Sequence, residues 1–132
     1  MRVKQLRAGS REVLELVRMS GLADRKVGGL TQGERKRLEF GMAVAQRPRV
    51  LVLDEPTAGM NQSDVETVME VLRETKAATE GLTILLSSHD MDVVFGLADH
   101  LVVMAQGQVL MEGEPREVAN DQRVADVYLG NR

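Results

Sequence analysis

The feature that most constrains the fold is the run Val50-Leu51-Val52-Leu53, which ends at Asp54-Glu55-Pro56. A short apolar run without alternating polar residues is typical of a strand covered on both faces, as in a parallel sheet. Residues 82–86 form a second run of this kind, and we expect both strands to be buried. Helical patterns separate the strand patterns along the chain, and this alternation predicts an α/β fold.

Two helices are predicted before the first strand. The first covers about 11–19, with Ser10 as its N-cap and Gly21 as its stop, and the residues before Ser10 give no firm pattern. The second begins at Thr31 and reaches about Gln46. The first helix carries Val13, Leu14, Leu16 and Val17 on one apolar side, and the second stops before Pro48.

Beyond the first strand, the patterns predict four more helices and a hairpin. A helix over about 63–79 has apolar residues at i, i+3, i+4 and i+7 and ends at Gly81. Gln106-Gly107 lies between two apolar runs, as the turn of a hairpin does. Three short helices follow the second strand. Asp90 is the predicted cap of a helix over 91–97, and Pro115 is the predicted first residue of the next. Asp121 is the predicted cap of the last helix, which ends near Tyr128-Leu129.

Composition and charge exclude several classes of function. Hydrophobic residues make up 43% of the 132 residues and charged residues 28%, which is typical of a globular chain. A net charge of −3 argues against binding a nucleic acid through bulk charge, so no nucleic-acid partner is expected. The absence of cysteine excludes disulfides and thiolate metal sites. No apolar stretch approaches the ~18 residues that span a bilayer, so we expect neither direct membrane insertion nor a secretory signal.

Two adjacent carboxylates, Asp54 and Glu55, follow the first strand. Consecutive strand residues point to opposite faces, so the pair can address two targets, a metal ion and a water molecule. The carboxyl ends of strands are also where open α/β sheets bind ligands. The alternative is two solvated acids in a turn before Pro56, and this dipeptide alone favours the alternative.

A second candidate site is the start of the helix at Thr31. Thr31-Gln32-Gly33-Glu34 fits the capping-box pattern, and the first free N–H groups of such a helix attract anions. Glycine at position 33 allows a phosphate to approach closely. Helix stability alone also explains a capping box. His89, just past the second strand, is a third candidate that could contact a phosphate or hold a water, although a lone histidine is more often polar surface.

The order of these motifs resembles that of ATP-binding cassette (ABC) ATPases. Leu30-Thr31-Gln32-Gly33-Glu34 resembles the signature motif, and the segment from Val50 to Thr57 resembles the Walker B strand with its catalytic glutamate. Ala58-Gly59-Met60-Asn61 lies where the D-loop follows, and Ser88-His89-Asp90 lies where the switch histidine is found. The resemblance covers about residues 10–130 and implies a partial P-loop NTPase fold, with parallel strands flanked by helices and a C-terminal hairpin.

The tail resembles that of branched-chain amino acid transport ATPases, and urea-transport ATPases end similarly. The matching residues are Glu112-Gly113-Glu114-Pro115-Arg116-Glu117-Val118, then Asp121, Val124 and Tyr128-Leu129-Gly130. This resemblance implies part of a helical subdomain over 1–47, the C-terminal part of the ATPase core over 48–112, and a C-terminal extension over 113–132. The alternative for the tail is a plain amphipathic closing helix.

The resemblance assigns a role to each candidate residue in binding ATP and Mg²⁺. Asp54 would hold Mg²⁺ through water, Glu55 would act as general base on the attacking water, and His89 would contact the γ-phosphate. The cross-subunit residues would contact ATP held by the opposite subunit or lie at the dimer seam: Thr31, Gln32, Gly33 and Glu34 in the signature motif, and Asn61. Gln32 stands where many family members have glycine, and Glu34 where many have glutamine.

These 132 residues contain no P-loop, because none of the four lysines, Lys4, Lys26, Lys36 and Lys76, follows a glycine. We therefore expect no measurable ATP hydrolysis by the isolated chain. In the family, the upstream half supplies neighbouring strands, so we also expect an open apolar edge and face at 50–53. The consequence would be oligomerisation, marginal stability or a partner that covers this surface.

The leading hypothesis is the ATP-binding subunit, or a fragment of it, of a branched-chain amino acid importer. It would pair with a second ATPase subunit, as a homo- or heterodimer, and with transmembrane permease subunits, on the cytoplasmic face of the membrane. Two alternatives stay open: a non-catalytic half cassette acting as a structural or regulatory partner, and an ATPase of a related urea or lipid transporter.

Overall fold

The chain folds into two units, one up to His89 and one from Asp90 onward. The structure is a computed structural model that describes residues 2–129, and the side chains of residues 9–127. The first unit contains α1 (Arg2–Leu16), α2 (Gln32–Val44), β1 (Val50–Asp54), α3 (Gln62–Ala78) and β2 (Thr83–Ser87). The second contains α4 (Met91–Leu97), β3 (Leu101–Ala105), β4 (Gln108–Gly113), α5 (Pro115–Ala119) and α6 (Gln122–Leu129).

The two predicted strands of the first unit pair in parallel, with Val50 opposite Thr83 and Asp54 opposite Ser87. Helix α3 makes the crossover between them, as a parallel pair requires. This arrangement confirms the predicted α/β fold. Because the strands are in register, their carboxyl ends stop side by side, and the segments that follow Asp54 and Ser87 start from the same edge.

One face of this sheet is covered and the other is open. Leu51 is buried, together with Phe40 of α2 and Val68, Val71 and Leu72 of α3. On the opposite face Val50, Val52 and Leu85 are 58%, 67% and 62% exposed. The expectation that both strands are buried is therefore wrong within the described residues, since no residue of β2 is fully buried. The expectation of an open apolar face at 50–53 is confirmed.

Helix α1 differs from its prediction at both ends. It starts at Arg2, so Ser10 lies inside the helix and is not its cap, and it ends at Leu16, well before Gly21. The residues before Ser10 are mostly good helix formers such as Lys, Gln, Leu and Arg, and their polarity hid that propensity. The helix stops in a Schellman pattern, with Met19 N–H donating to the Leu14 carbonyl at 2.7 Å.

Arg18 occupies the left-handed position of that pattern, with φ +56°, where glycine is usual. Its guanidinium donates to the carboxylates of Glu70 and Glu74 on α3. Its carbonyl accepts a 3.2 Å hydrogen bond from the Arg37 guanidinium of α2. Arg18 therefore ends α1 and also joins it to two other helices.

The second unit packs its helices against the predicted hairpin. Strands β3 and β4 are antiparallel, with a register shift between Val103 and Met104. Asp90 caps α4, accepting from Asp92 N–H at 3.0 Å, and Pro115 is the first residue of α5. The Asp121 carboxylate accepts from Arg123 N–H at 2.8 Å, as predicted for a cap. Among the side chains that the structure describes, Leu101, Val103, Val118 and Val124 form a buried cluster in the core of this unit.

Some predictions concern residues outside this description. Gly130, and the side chains of Tyr128 and Leu129, lie beyond the described part of the chain. The boundaries proposed at 47–48 and 112–113 stay predictions. Among the described residues, no helix is both long and apolar enough to cross a bilayer.

Candidate functional site

The carboxyl end of β1 places Asp54 beside β2. Asp54 is the last residue of β1 and pairs with Ser87, whose hydroxyl donates a short hydrogen bond to Asp54 Oδ1. This contact fixes the direction of the carboxylate at the strand end. Ser87 was not among the predicted site residues, because its role depends on strand register, which the sequence pattern did not provide.

Glu55 directly follows the strand in an unusual backbone conformation. Its φ is +46°, in the left-handed region that a residue with a side chain rarely adopts. Its N–H donates to the Ser87 carbonyl at 3.0 Å, which continues the pairing one residue beyond β1. Such strain is often found at functional sites, where the surrounding structure maintains it.

Glu55 contacts His89 directly. Glu55 Oε1 lies 2.8 Å from His89 Nδ1, so the two predicted catalytic side chains, 34 positions apart, meet at the carboxyl edge of the sheet. Glu55 is about one-third exposed, whereas His89 is largely exposed. A carboxylate oriented by an imidazole and open to water can accept a proton from a bound water molecule.

The turn after Glu55 is tightly packed. Pro56 and Thr57 are buried. Ala58 N–H donates to the Glu55 carbonyl at 3.1 Å, and Met60 N–H to the Thr57 carbonyl at 3.2 Å. We refer to residues 55–60 as the post-strand turn. It connects Glu55 to Asn61, which caps α3.

The start of α2 forms the predicted capping box. Thr31 Oγ1 accepts from Glu34 N–H at 3.2 Å, and Glu34 Oε2 accepts from Thr31 N–H at 2.7 Å. The hydrogen bond from Thr31 N–H lowers the pKa of Glu34, and Arg25, 3.7 Å away, lowers it further. In this conformation the Thr31 hydroxyl and the Glu34 carboxylate both accept backbone hydrogen bonds that cap the N-terminus of α2.

We expect Glu34→Gln to reduce the pH dependence of stability on the acidic side. The folded pKa of Glu34 is lowered, so its ionised form stabilises the fold above the unfolded value of about 4.3, and this contribution is lost as the pH falls through the folded value. Urea denaturation midpoints between pH 6 and pH 3 would measure it. Glu39→Gln on the same helix is the matched control, and an unchanged slope in Glu34→Gln would contradict the prediction.

The remaining predicted cross-subunit residues lie against the post-strand turn and the start of α3. Gln32 Nε2 donates to the Ala58 carbonyl at 3.2 Å. An added Cβ on Gly33 would lie 2.6 Å from Cγ of Asp64. Asn61 Oδ1 accepts from Asp64 N–H at 2.9 Å, and Asn61 Nδ2 donates to Asp64 Oδ2 at 3.0 Å. Asp64 was missed, although its position three residues after Asn61 matches a capping pattern.

The structure thus brings the predicted residues together in two groups joined by the post-strand turn. The first contains Asp54, Glu55 and His89 at the sheet edge, and the second contains Thr31, Gln32, Gly33 and Glu34, with Asn61 beside them. Their functional roles stay predictions.

Asp54 is the carboxylate at this edge whose chemistry suits a shared Mg²⁺ site. Among the described residues, no cluster of three or more His, Asp or Glu side chains could enclose a metal. Mg²⁺ typically keeps several waters and uses one or two carboxylates together with substrate phosphates. Asp54, oriented by Ser87, is a carboxylate of the required kind.

Comparisons with known proteins agree with this fold and motif order. The family model described as ABC transporter matches residues 4–58. The high-affinity branched-chain amino acid transport ATP-binding protein BraF of Pseudomonas aeruginosa is 36% identical over 117 residues, which cover 89% of this chain and 46% of that protein. The lipopolysaccharide export system ATP-binding protein LptB of Acidithiobacillus ferridurans is 32% identical, covering 92% of this chain and 49% of that protein.

A solved structure extends the similarity to three dimensions. The structure of cbiO1 from Clostridium perfringens, part of the ABC transporter complex cbiONQ, superimposes with a TM-score of 0.82 at 31% identity, covering 96% of this chain and 51% of that one. The chain spans about half the length of the curated relatives it matches. Its fold is therefore part of the P-loop NTPase fold of ABC ATPases.

Proposed function

We propose that this chain, which is part of an ABC transporter ATPase domain, supplies the water-activating side and the cross-subunit side of an ATP-hydrolysing site. The observation that supports this proposal most strongly is the contact of Glu55 with His89, 2.8 Å apart, next to Asp54 at the carboxyl edge of β1 and β2. A carboxyl edge with acidic and imidazole groups is a ligand-binding position in α/β sheets.

Each residue of this edge has a definite part in the proposed reaction. Glu55 accepts a proton from the attacking water as general base, because its carboxylate is partly exposed and oriented by His89. His89, through its imidazole, both orients Glu55 and contacts the terminal phosphate. Glu55 holds this position with a left-handed backbone, φ +46°, directly after the strand that ends at Asp54. Hydrolysis of this kind depends on positioning and charge stabilisation.

Asp54 would hold Mg²⁺, with the Ser87 hydroxyl fixing its carboxylate. When bound, Mg²⁺ neutralises part of the triphosphate charge. The phosphates themselves are normally bound by a P-loop, a ring of backbone N–H groups with one lysine, and these 132 residues contain no P-loop motif. In this proposal, that loop and the strands that neighbour β1 and β2 in the family come from a segment corresponding to the unmatched half of the relatives.

The substrate we propose is a branched-chain amino acid. Several relatives, including the P. aeruginosa protein, carry that description, and the residues of the tail resemble the same group. The proposed partners are a second ATPase subunit, facing the N-terminus of α2, and transmembrane permease subunits, which place the chain on the inner face of the membrane. Lipopolysaccharide export, the function named for the A. ferridurans relative, is the competing assignment.

Hydrolysis of Mg·ATP by the isolated chain and by a chimaera tests this function. The chimaera joins the chain to the part of the P. aeruginosa relative that it does not match. We expect the isolated chain to show no hydrolysis above background. The chimaera should hydrolyse ATP, and Glu55→Gln should lower its kcat by about 10²- to 10⁴-fold, because it removes the general base.

The matched control is Glu39→Gln, which changes an exposed carboxylate of α2 and should leave kcat unchanged in the chimaera. Hydrolysis by the isolated chain that disappears with Glu55→Gln would contradict the proposal that the phosphate-binding groups come from another segment. A folded, ATP-binding chimaera whose kcat is insensitive to Glu55→Gln would contradict the role of Glu55.

A second candidate function is that of a non-catalytic partner, since these 132 residues contain no P-loop but do form the start of α2. Such a chain would offer its α2 N-terminus to ATP bound by another cassette. Mixed with a full-length relative, it would then change that protein's hydrolysis rate, and Glu55→Gln would leave this change intact.

A further inference from the structure

Gln32 makes a contact within its own chain that the resemblance does not imply. The motif assigns Gln32 to ATP held by another subunit, whereas the structure places its side-chain amide on the Ala58 carbonyl, at 3.2 Å. Ala58 belongs to the post-strand turn, which begins at Glu55. The contact therefore joins the start of α2 to the segment that carries the proposed general base.

Two glycines let these segments approach each other closely. Gly59 has φ +72°, and an added Cβ would lie 2.9 Å from Gln32 Nε2. An added Cβ on Gly33, the neighbour of Gln32, would lie 2.6 Å from Cγ of Asp64. A side chain at position 59 would displace the Gln32 amide, and one at position 33 would collide with the Asp64 carboxylate. The approach is thus defined by three contacts, of which only that of Gln32 is a hydrogen bond.

We propose that Gln32 is a positioning residue that holds the post-strand turn against the N-terminus of α2 and thereby fixes Glu55 beside His89. The turn is anchored at its other end, where Glu55 N–H donates to Ser87. Pro56 and Thr57 are buried between the two anchors. A shift of Ala58 therefore changes the backbone angles closest to Glu55, since the buried residues leave little other freedom.

This contact competes with the role that the signature motif implies. Gln32 Nε2 bonded to Ala58 is not directed at a nucleotide on another subunit, so engaging that nucleotide requires this bond to break and releases the turn. The position of Glu55 then depends on whether a nucleotide on another subunit is bound at the N-terminus of α2. This consequence rests on the proposed function, whereas the positioning role itself does not.

Amide hydrogen exchange in the 132-residue chain, without nucleotide, tests the positioning role. Gln32→Glu and Gln32→Met keep the approximate length of the side chain and remove the N–H donor. In both variants the amides of Ala58 and Met60 should exchange about fivefold faster, as expected for one lost hydrogen bond. The ¹⁵N shifts of the His89 ring should also move, because they report its contact with Glu55.

Gln46→Glu is the matched control, since Gln46 also donates to a backbone carbonyl, that of Met42, at the other end of α2. It should change neither the two amides nor the His89 ring. Unchanged exchange and ring shifts in both Gln32 variants, with an unchanged denaturation midpoint, would overturn the proposal. A change in Gln32→Glu alone would also overturn it, because added charge rather than the lost donor would then be the cause. The experiment contains no ATP, so its failure is distinguishable from failure of the proposed function.

Discussion

Replacing Val52 and Leu85 together with lysine should convert the chain from a self-associating species to a monomer. The two residues are opposite each other across β1 and β2, and they are 67% and 62% exposed on the open face. Burying two such side chains in an interface contributes roughly 3 kcal/mol or more, so the dissociation constant should rise at least about a hundredfold. Sedimentation velocity over a concentration series measures this change.

Met42→Lys is the control for that experiment. Met42 is 63% exposed, but it lies on α2 rather than on the sheet. A lysine there adds charge without altering the open face, so association should be nearly unchanged. A wild-type chain that remains monomeric at high concentration, or a double variant that still associates, would show that the open face of β1 and β2 does not drive association.

Gly33→Ala should destabilise the first unit by about 2 kcal/mol, because its Cβ would lie 2.6 Å from Cγ of Asp64. The sign is informative, since Gly to Ala in a helix is otherwise stabilising by up to about 1 kcal/mol. Asp64 cannot move freely, because Asn61 holds its carboxylate and Asp64 lies in the first turn of α3. Chemical denaturation of the wild type and the variant measures the difference.

A double-mutant cycle separates this collision from other effects of the added methyl group. Gly33→Ala should cost much less in an Asp64→Ala background, where the carboxylate is gone. Gly21→Ala is the control, because an added Cβ at that position meets nothing within 4 Å. Equal costs of Gly33→Ala in both backgrounds would locate the cause elsewhere than at Asp64.

Much of the local structure followed from the sequence because it depends on neighbouring residues. The cap at Thr31, the strand ending at Asp54, the cap at Asp90 and the helix opened by Pro115 all lie where the pattern placed them. The ends of α1 did not follow. A left-handed arginine at position 18 terminates that helix, and the sequence signal for such a turn is normally glycine.

Only part of the candidate site could be predicted from the sequence, because several of its contacts join segments that are distant along the chain. Asp54, Glu55 and His89 were identified by motif order, and the parallel register then brings Glu55 and His89 into contact. The partners Ser87, Ala58 and Asp64 became visible only in three dimensions, because each contact joins segments that are distant along the chain. Burial of the strands was predicted wrongly because the apolar pattern describes a larger sheet than these residues form.

The dual role of Arg18 has a consequence for the order in which a growing polypeptide can fold. The backbone hydrogen bonds that end α1 are local and can form early. The carboxylates of Glu70 and Glu74, which accept hydrogen bonds from the Arg18 guanidinium, lie 52 and 56 residues further along the chain. The first helix can therefore end correctly while still on the ribosome and can contact α2 through Arg37, but its ion pairs with α3 cannot form until that helix has been synthesised.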